Sequence, residues 1–449
     1  MPVLNPTPVK PKRLQHIPKL YGDYRWWFNM RAVGLITEYN PFHNGHQYHV
    51  QQARQCSGAD VVVAVMSGHF LQRGEPALVD KWTRAKMAIG CGDGCGVDVV
   101  VELPLPYACN SAQNFASGAV QVLDAFAPHL DCLCFGSESG DLTKLKQLAQ
   151  TMTEYESEAV DSQHLRCGQT FPQARAAALA QSGHDISLLD QPNNILSLAY
   201  LRALKQQKSD LRPLTITRRG AGYHDVNVGI GDIASATAIR HRLAGGKGVQ
   251  PYMPAAAYIL LQQAVTQQMT VDMSRWFAMV EQSCLSGVDC GKNWGADFYQ
   301  MEPGLAERIF QAALVADDFD DLVTRIKARH FTRTRVQRLL CYMVLGLQAG
   351  AVDNFLSTPI PYIQLLGTSQ KGEAFLRQCR ADFPVPLISN LSRIKAKLNR
   401  AYGQNSAMRK HAEGMIEVED RATRLYTLLL PGWQEKSRQW NYFQQPCRV

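Results

Sequence analysis

The sequence predicts an α/β protein: a doubly wound parallel sheet followed by a mainly α-helical C-terminal domain. Three observations carry this. Short apolar runs alternate with helical patterns over roughly the first 240 residues, the signature of βαβ units. Each run ends in a cluster of turn-forming residues, where open α/β sheets place their ligands. Beyond Pro251 the pattern changes to helices joined by short loops.

Ala32–Thr37 is a short apolar run, the pattern of a buried strand. Glu38-Tyr39-Asn40-Pro41 breaks it, and a helix is expected from about Gly45. Asp60–Met66 and Asp98–Glu102 are further buried strands, with a loop over 68–76 and a helix over Lys81–Ile89 between them. Pro104, Pro106 and Asn110 mark the next loop. Ser111–Phe126 is a helix and Leu130–Phe135 a fourth strand. Residues 141–190 look helical and polar, a cap or insertion. A helix with an Asn in cap position then runs through Leu204, and Leu211–Thr217 is a fifth strand. Ser235 opens another helix, and Gly245–Gly248 with Pro251 forms the junction. The expected division is a disordered extension over 1–30, a catalytic domain over 31–248 and a helical domain over 249–449. The extension could alternatively be a basic arm that touches nucleic acid.

Composition excludes several classes. A chain of 449 residues with 46% hydrophobic and 19% charged residues is globular, neither fibrous nor disordered. No apolar run reaches the 18 or so residues of a membrane span. Twelve cysteines without a CxxC pair suit a reducing cytoplasm better than a disulfide framework or a zinc site. The net charge of +8 is uneven: residues 31–250 carry −1 and residues 251–449 carry +5. That asymmetry fits a polyanion held by the second half, or else an ordinary solvated basic surface.

The chemistry centres on His43-Asn44-Gly45-His46. A helix opening directly after a strand presents backbone N–H groups and a positive dipole end to a phosphate. His43 and His46, three apart, share one face, and Gly45 leaves room for a nucleotide to approach the backbone. The bland alternative is a capping turn with two incidental surface histidines. Ser235 and Thr237, with Arg240 one turn later, suggest a second phosphate site; simple helix capping is the alternative. Two basic segments stand out downstream. Arg325, Lys327, Arg329, Arg333, Arg335 and Arg338 lie in a stretch without acids from Leu322 to Val352. Arg393, Lys395, Lys397, Arg400, Arg409 and Lys410 lie in another from Phe383 to Ala412. Clustered cations of this kind suit phosphodiester contacts, a solvated helix face being the alternative.

HxGH after a first strand resembles the nucleotidyltransferase (HUP-like) superfamily. The resemblance narrows with GLITEYNPFHNGHQYH, VMSGHFLQRGEPA, VVELP, FGSE, PNNIL, RRGAGYHD and the SATAIR segment, in order over residues 32–242. Together with FTRTRVQRLL and YIQLLG they are similar to the tRNA(Met) cytidine acetate ligase family. The resemblance implies a cytoplasmic ligase that forms acetyl-adenylate from ATP and acetate. It then transfers the acetyl group to the N4 amine of the wobble cytidine of elongator tRNA(Met). It implies ATP contacts at Ile36, Thr37, Glu38, Tyr39, Asn40, Pro41, Phe42, His43, Asn44, Gly45, His46, Gln47, Tyr48 and His49. Further contacts fall on Gly136, Asn193 or Asn194, Arg218 and Arg219, although the family commonly has a single arginine at the last pair. His43 and His46 take the catalytic, phosphate-facing role, and Ser235 and Thr237 join the nucleotide site. Arg333, Arg335, Arg338, Arg393, Lys395, Lys397 and Arg400 are the expected RNA contacts. Mg²⁺ is expected with ATP, but no carboxylate cluster marks its ligands.

Two other functions stay open on the residues alone. A small-molecule adenylyltransferase of the same fold would not need a basic second half. A nucleotide-dependent RNA-binding protein would need no catalysis. ATP–pyrophosphate exchange, and its dependence on acetate, separates all three.

Overall fold

The computed structural model describes residues 29–92, 94–157, 186–218, 232–286, 295–328, 331–433 and 437–449. Its centre is a sheet with the strand order β5-β4-β1-β2-β3-β6-β7. The first five strands are β1 (Ala32–Thr37), β2 (Val61–Ser67), β3 (Val99–Leu103), β4 (Leu130–Ser137) and β5 (Arg212–Thr217). They are mutually parallel. From β1 the chain winds one way to β2 and β3 and the other way to β4 and β5, so the topological switch lies at β1, where a ligand crevice belongs.

The buried faces explain the apolar runs. Every residue of β2 and of β3 is buried, as strands covered on both sides must be. The helices of the first half are α1 (Asn44–Ser57), α2 (Lys81–Ile89), α3 (Leu105–Ala108), α4 (Ala112–Asp124), α5 (Leu142–Ser157), α6 (Pro192–Gln207) and α7 (Ala236–Ala244). Most start where a side chain takes an orphan N–H. Asp80 caps α2, Ser111 caps α4 and Ser235 caps α7. The expected Asn cap of α6 is corrected. Gln191 is the cap residue, Pro192 opens the helix, and Asn193 and Asn194 lie in its first turn. Pro fits there because its missing N–H would have had no helical partner.

The second half does not stand apart from the sheet. Its helices are α8 (Ala255–Thr266), α9 (Met273–Leu285), α10 (Leu305–Ala313), α11 (Phe319–Ile326), α12 (Arg333–Leu345) and α13 (Ala349–Ser357). Then β6 (Ile363–Thr368) pairs antiparallel with β3. After α14 (Gln370–Cys379), β7 (Leu387–Ile388) pairs with the first part of β6. After α15 (Ile394–Tyr402), α16 (Ala407–Leu428) and α17 (Trp440–Phe443), β8 (Cys447–Arg448) pairs with its last part. A division at 248 is therefore not a division of the sheet. The core is also shared. Trp276 of α9 is buried between Phe70 of the first half and Phe319, with ring centroids 5.8 and 6.0 Å away. Tyr426 donates to the Ala77 carbonyl at 2.8 Å, and Tyr342 to that of Cys109 at 2.8 Å. No helix among the described residues is long and apolar enough to cross a membrane.

Candidate active site

A cleft of about 410 Å³ opens at the carboxyl ends of β1 and β4. His43 ends the β1–α1 loop as the cap of α1. Its Nδ1 accepts the Gly45 N–H at 3.0 Å, while the His43 N–H donates to Nδ1 of His46 at 3.3 Å. This reciprocal arrangement is a capping box built from two imidazoles. It has a chemical consequence: with each Nδ1 acting as acceptor, each neutral ring carries its proton on Nε2. The rings lie 3.8 Å apart, and Tyr39 packs edge-on against His46 at 4.9 Å. Burial, followed by the charges of Arg218 and Arg240, pushes the pKa of His43 down to about 3. Burial, then His43 and Arg218, holds His46 well below its usual value, against a smaller opposite pull from the Pro41 carbonyl. One turn further on, burial and Arg218 push His49 down to about 4. The site thus offers uncharged N–H donors rather than imidazolium ions.

Gly45 serves a different purpose from the one its position suggests. A Cβ there would sit 2.9 Å from Cε1 of His43. The missing side chain makes room for the capping imidazole itself. Asn44 anchors the same turn, donating to the carbonyls of Asp232 and Pro251 at 2.8 and 2.9 Å. Asn40 anchors its start. Its Oδ1 accepts the Leu78 N–H at 2.7 Å, and its carbonyl accepts from Arg240 at 2.9 Å.

The opposite wall comes from β4, β5 and α6. Arg218 lies across Gly136, whose Cβ position would be 3.2 Å from the arginine Cγ. Arg218 donates to Oδ1 of Asn193 at 3.2 Å. Glu138 of the FGSE segment supplies the cap that Gln191 does not. Its carboxylate accepts the Asn193 N–H at 3.2 Å and the Asn194 N–H at 2.8 Å. An acid at a helix N-terminus also meets the favourable end of the dipole. At α7, Ser235 caps through the Ala238 N–H at 3.0 Å, so its hydroxyl is a cap on the cleft wall.

Most expected nucleotide residues meet here. Ile36, Thr37, Glu38, Tyr39, Asn40, His43, His46, His49, Gly136, Asn193, Arg218, Ser235 and Thr237 line the cleft. Gly45 and Tyr48 line a small adjoining hollow with His43 and Arg218. Pro41, Phe42, Asn44 and Gln47 do not line it, and Phe42 is core. Asn194 is fully buried behind the wall, where its Oδ1 accepts the N–H groups of Glu138 and Ser139 at 3.0 and 3.2 Å. Arg219, with the rest of the RRGAGYHD stretch after Arg218, lies outside the described residues. Arg240, expected beside Ser235 and Thr237, lines it too, and several lining residues were not expected: Gln72, Arg73, Glu75, Phe115, Tyr200, Asp320 and Gln337. The first three of these follow β2 in the SGHFLQRGEP loop, at a strand end, which was a signal available in the sequence.

The expected RNA contacts divide. Arg333 also lines the cleft and pairs with Asp320. Arg335 pairs with Glu302. Acids from other elements thus supply the counter-charges that the stretch from Leu322 to Val352 lacks. Lys397 donates to the Leu387 carbonyl at 3.0 Å. Arg393, Lys395 and Arg400 are exposed along α15. A wider groove of about 710 Å³ lies at the outer edge of the sheet, between β6, β8 and α14, and holds none of these residues.

A sequence profile described as HIGH Nucleotidyl Transferase matches residues 30–441. A tRNA(Met) cytidine acetate ligase of Syntrophotalea carbinolica is 47% identical over 425 residues, covering 94% of this chain and 99% of its own. The chain belongs to the tRNA(Met) cytidine acetate ligase family. Another member, from Caldicellulosiruptor saccharolyticus, is 36% identical over 405 residues, covering 89% of this chain and 94% of its own. The crystal structure of apo Thermotoga maritima TmcAL superposes with a TM-score of 0.85 at 30% identity, covering 94% of this chain and all of that one. The same Thermotoga protein bound with alpha-thio ATP superposes with a TM-score of 0.82 at 29% identity, covering 93% and 99%.

Proposed function

We propose that the protein ligates acetate to the N4 amine of the wobble cytidine of elongator tRNA(Met), through acetyl-adenylate. One observation carries the reading. Two imidazoles locked as Nε2–H donors, Arg218, Arg240 and two helix N-termini converge on one cleft, in a family with an ATP-analogue-bound member.

The chemistry follows from charge. An acetate oxygen attacks the α-phosphorus, and the bond to the bridging oxygen of pyrophosphate breaks. Two like charges 4 Å apart repel by about 4 kcal/mol at the effective dielectric of a partly solvated site. Arg218, Arg240 and the N-termini of α1 and α7 offset that repulsion. The Nε2–H groups of His43 and His46 donate to phosphate oxygens as charge moves onto them. A preorganised donor of this kind contributes about 2.7–4 kcal/mol to the transition state. The cytidine amine then attacks the acetyl carbon and AMP leaves. Mg²⁺ would travel on the triphosphate oxygens. Among the described residues no group of three or more His, Cys, Asp or Glu side chains is placed to hold it.

The RNA is assigned to the second half. Arg393, Lys395 and Arg400 on α15 form an exposed cationic surface without ion pairs among the described residues, suited to phosphates. Arg335 and Arg338 belong to α12, the helix whose Arg333 and Gln337 line the cleft, and would meet RNA there. The setting is the cytoplasm, where tRNA is found and cysteines stay reduced. The test is nucleoside analysis of tRNA incubated with the protein, ATP and labelled acetate. Label in N4-acetylcytidine that requires ATP is the expected result; label nowhere in the tRNA would end the reading.

A further inference from the structure

The ligase reading leaves one proton without a destination. The exocyclic amine of cytosine has its lone pair drawn into the ring. Its adduct with the acetyl carbon must therefore shed a proton as the C–N bond forms. A positioned base at such a step contributes about 10²–10⁴-fold.

The cleft narrows the choice. His43 and His46 cannot serve, because their Nδ1 atoms already accept backbone N–H groups. Three carboxylates line the cleft: Glu38, Glu75 and Asp320. Glu38 accepts the Gln72 N–H at 2.8 Å. Burial, against that hydrogen bond, raises its pKa, and the nearby Glu75 raises it further. Asp320 stands at the surface, 77% exposed and paired with Arg333. Glu75 is different. Its side chain is 26% exposed, and one oxygen lies 3.4 Å from Arg240. The same guanidinium holds the Asn40 carbonyl of the histidine loop at 2.9 Å. Glu75 is thereby tied to the loop that grips the phosphates.

Its backbone is fixed as well. Leu71 donates to the Glu75 carbonyl at 2.9 Å, and Gly74 to that of Leu71 at 2.9 Å. Gly74 has φ +80°, and a Cβ there would fall 2.4 Å from the backbone nitrogen of Arg338. The turn therefore lies flat against α12, a helix of the half assigned to tRNA.

We propose, resting on the ligase reading, that Glu75 is the catalytic base of acetyl transfer. Its carboxylate takes the proton released as the amine nitrogen bonds to the acetyl carbon. The bond from that carbon to the adenylate oxygen then breaks, and the oxygen leaves with the electron pair as AMP. Water removes the proton from Glu75. The contact of Gly74 with α12 sets the base where the bound tRNA presents its cytidine.

The two half-reactions are measured separately on the full chain. Acetate-dependent ATP–pyrophosphate exchange reads the first. Single-turnover transfer from preformed acetyl-adenylate to tRNA(Met) reads the second. Glu75→Gln keeps a hydrogen-bond acceptor for Arg240 but takes no proton. It should slow transfer by about 100-fold or more, and exchange by far less. Glu75→Asp, which retains the carboxylate, should recover part of the transfer. Transfer at the wild-type rate in E75Q overturns the proposal. So does an equal loss in both half-reactions, which would place Glu75 in ATP binding, or an E75D variant no faster than E75Q. A wild-type protein without acetate-dependent exchange sinks the ligase reading instead, whatever Glu75 does.

Discussion

His43 caps a helix and lines the cleft assigned above to the triphosphate, and substitutions can separate the two roles. Asn is among the strongest N-cap residues, so His43→Asn should keep α1 intact while removing the Nε2–H donor. Acetate-dependent exchange should fall about 100–1000-fold, with the melting temperature nearly unchanged. His46→Ala should show the same kinetic loss. It should also lose about 1 kcal/mol of stability, because its Nδ1 accepts the His43 N–H. Equal exchange rates in both variants and the wild type would remove the imidazoles from the chemistry. The tautomer has its own test. Burial holds both histidines far below their usual pKa, so imidazole nitrogen spectra of the ligand-free protein should show neutral rings protonated at Nε2 from pH 5 to 8. An imidazolium signature near pH 6 would contradict that. The sequence made the two histidines legible, because a strand followed by a helix start names the place where they converge. It could not show that the His43 imidazole is held by the Gly45 N–H and the His46 imidazole by the His43 N–H, which depends on rotamers rather than on spacing.

Strands and helices were legible to within two residues where burial was uniform. β2 and β3 are continuous apolar runs, and such runs can only be interior. β6 was less legible. YIQLLG stands in a helical neighbourhood, and only its pairing with β3 makes it a strand. The polar partners of buried charges were not legible at all. Glu102 ends a run of valines on β3, and Lys81 opens α2. Lys81 Nζ meets the two Glu102 oxygens at 2.8 and 2.7 Å, with both side chains almost wholly buried. Such a pair adds little over an apolar replacement but costs much when halved. Lys81→Met alone should therefore destabilise the protein by about 3–5 kcal/mol, and Lys81→Met with Glu102→Leu should restore most of the loss. Denaturant midpoints decide this. Equal midpoints for the single and double variants would mean that the charge left alone is not what destabilises.

The two halves are joined through that same buried polar cluster, which ties their mutual stability to pH. Glu419 of α16 reaches across to accept the Leu105 N–H beside Glu102. Burial, then the charge of Glu102, pushes its pKa from the usual 4.5 to about 8, against Lys81 and the Leu105 hydrogen bond. An acid whose folded pKa is raised holds its proton in the folded state after the unfolded chain has released it. Between about 4.5 and 8 the folded protein therefore binds the extra proton at Glu419, and the contribution of this group to stability falls as pH rises. The slope from one such group approaches about 1.4 kcal/mol per pH unit. Glu419→Gln keeps an acceptor for Leu105 and cannot ionise, so it should flatten this limb and gain most over wild type near pH 8. The buried neutral histidines His43, His46 and His49, held below their usual pKa, act in the opposite sense below about 6.5, so the net fall belongs to the window from about 6.5 to 8. Because β6, Trp276 and Tyr426 bind the halves into one core, unfolding by fluorescence and by circular dichroism should show a single transition. Two separate transitions, or a Glu419→Gln variant with the wild-type pH slope, would mean that the cluster does not couple the halves.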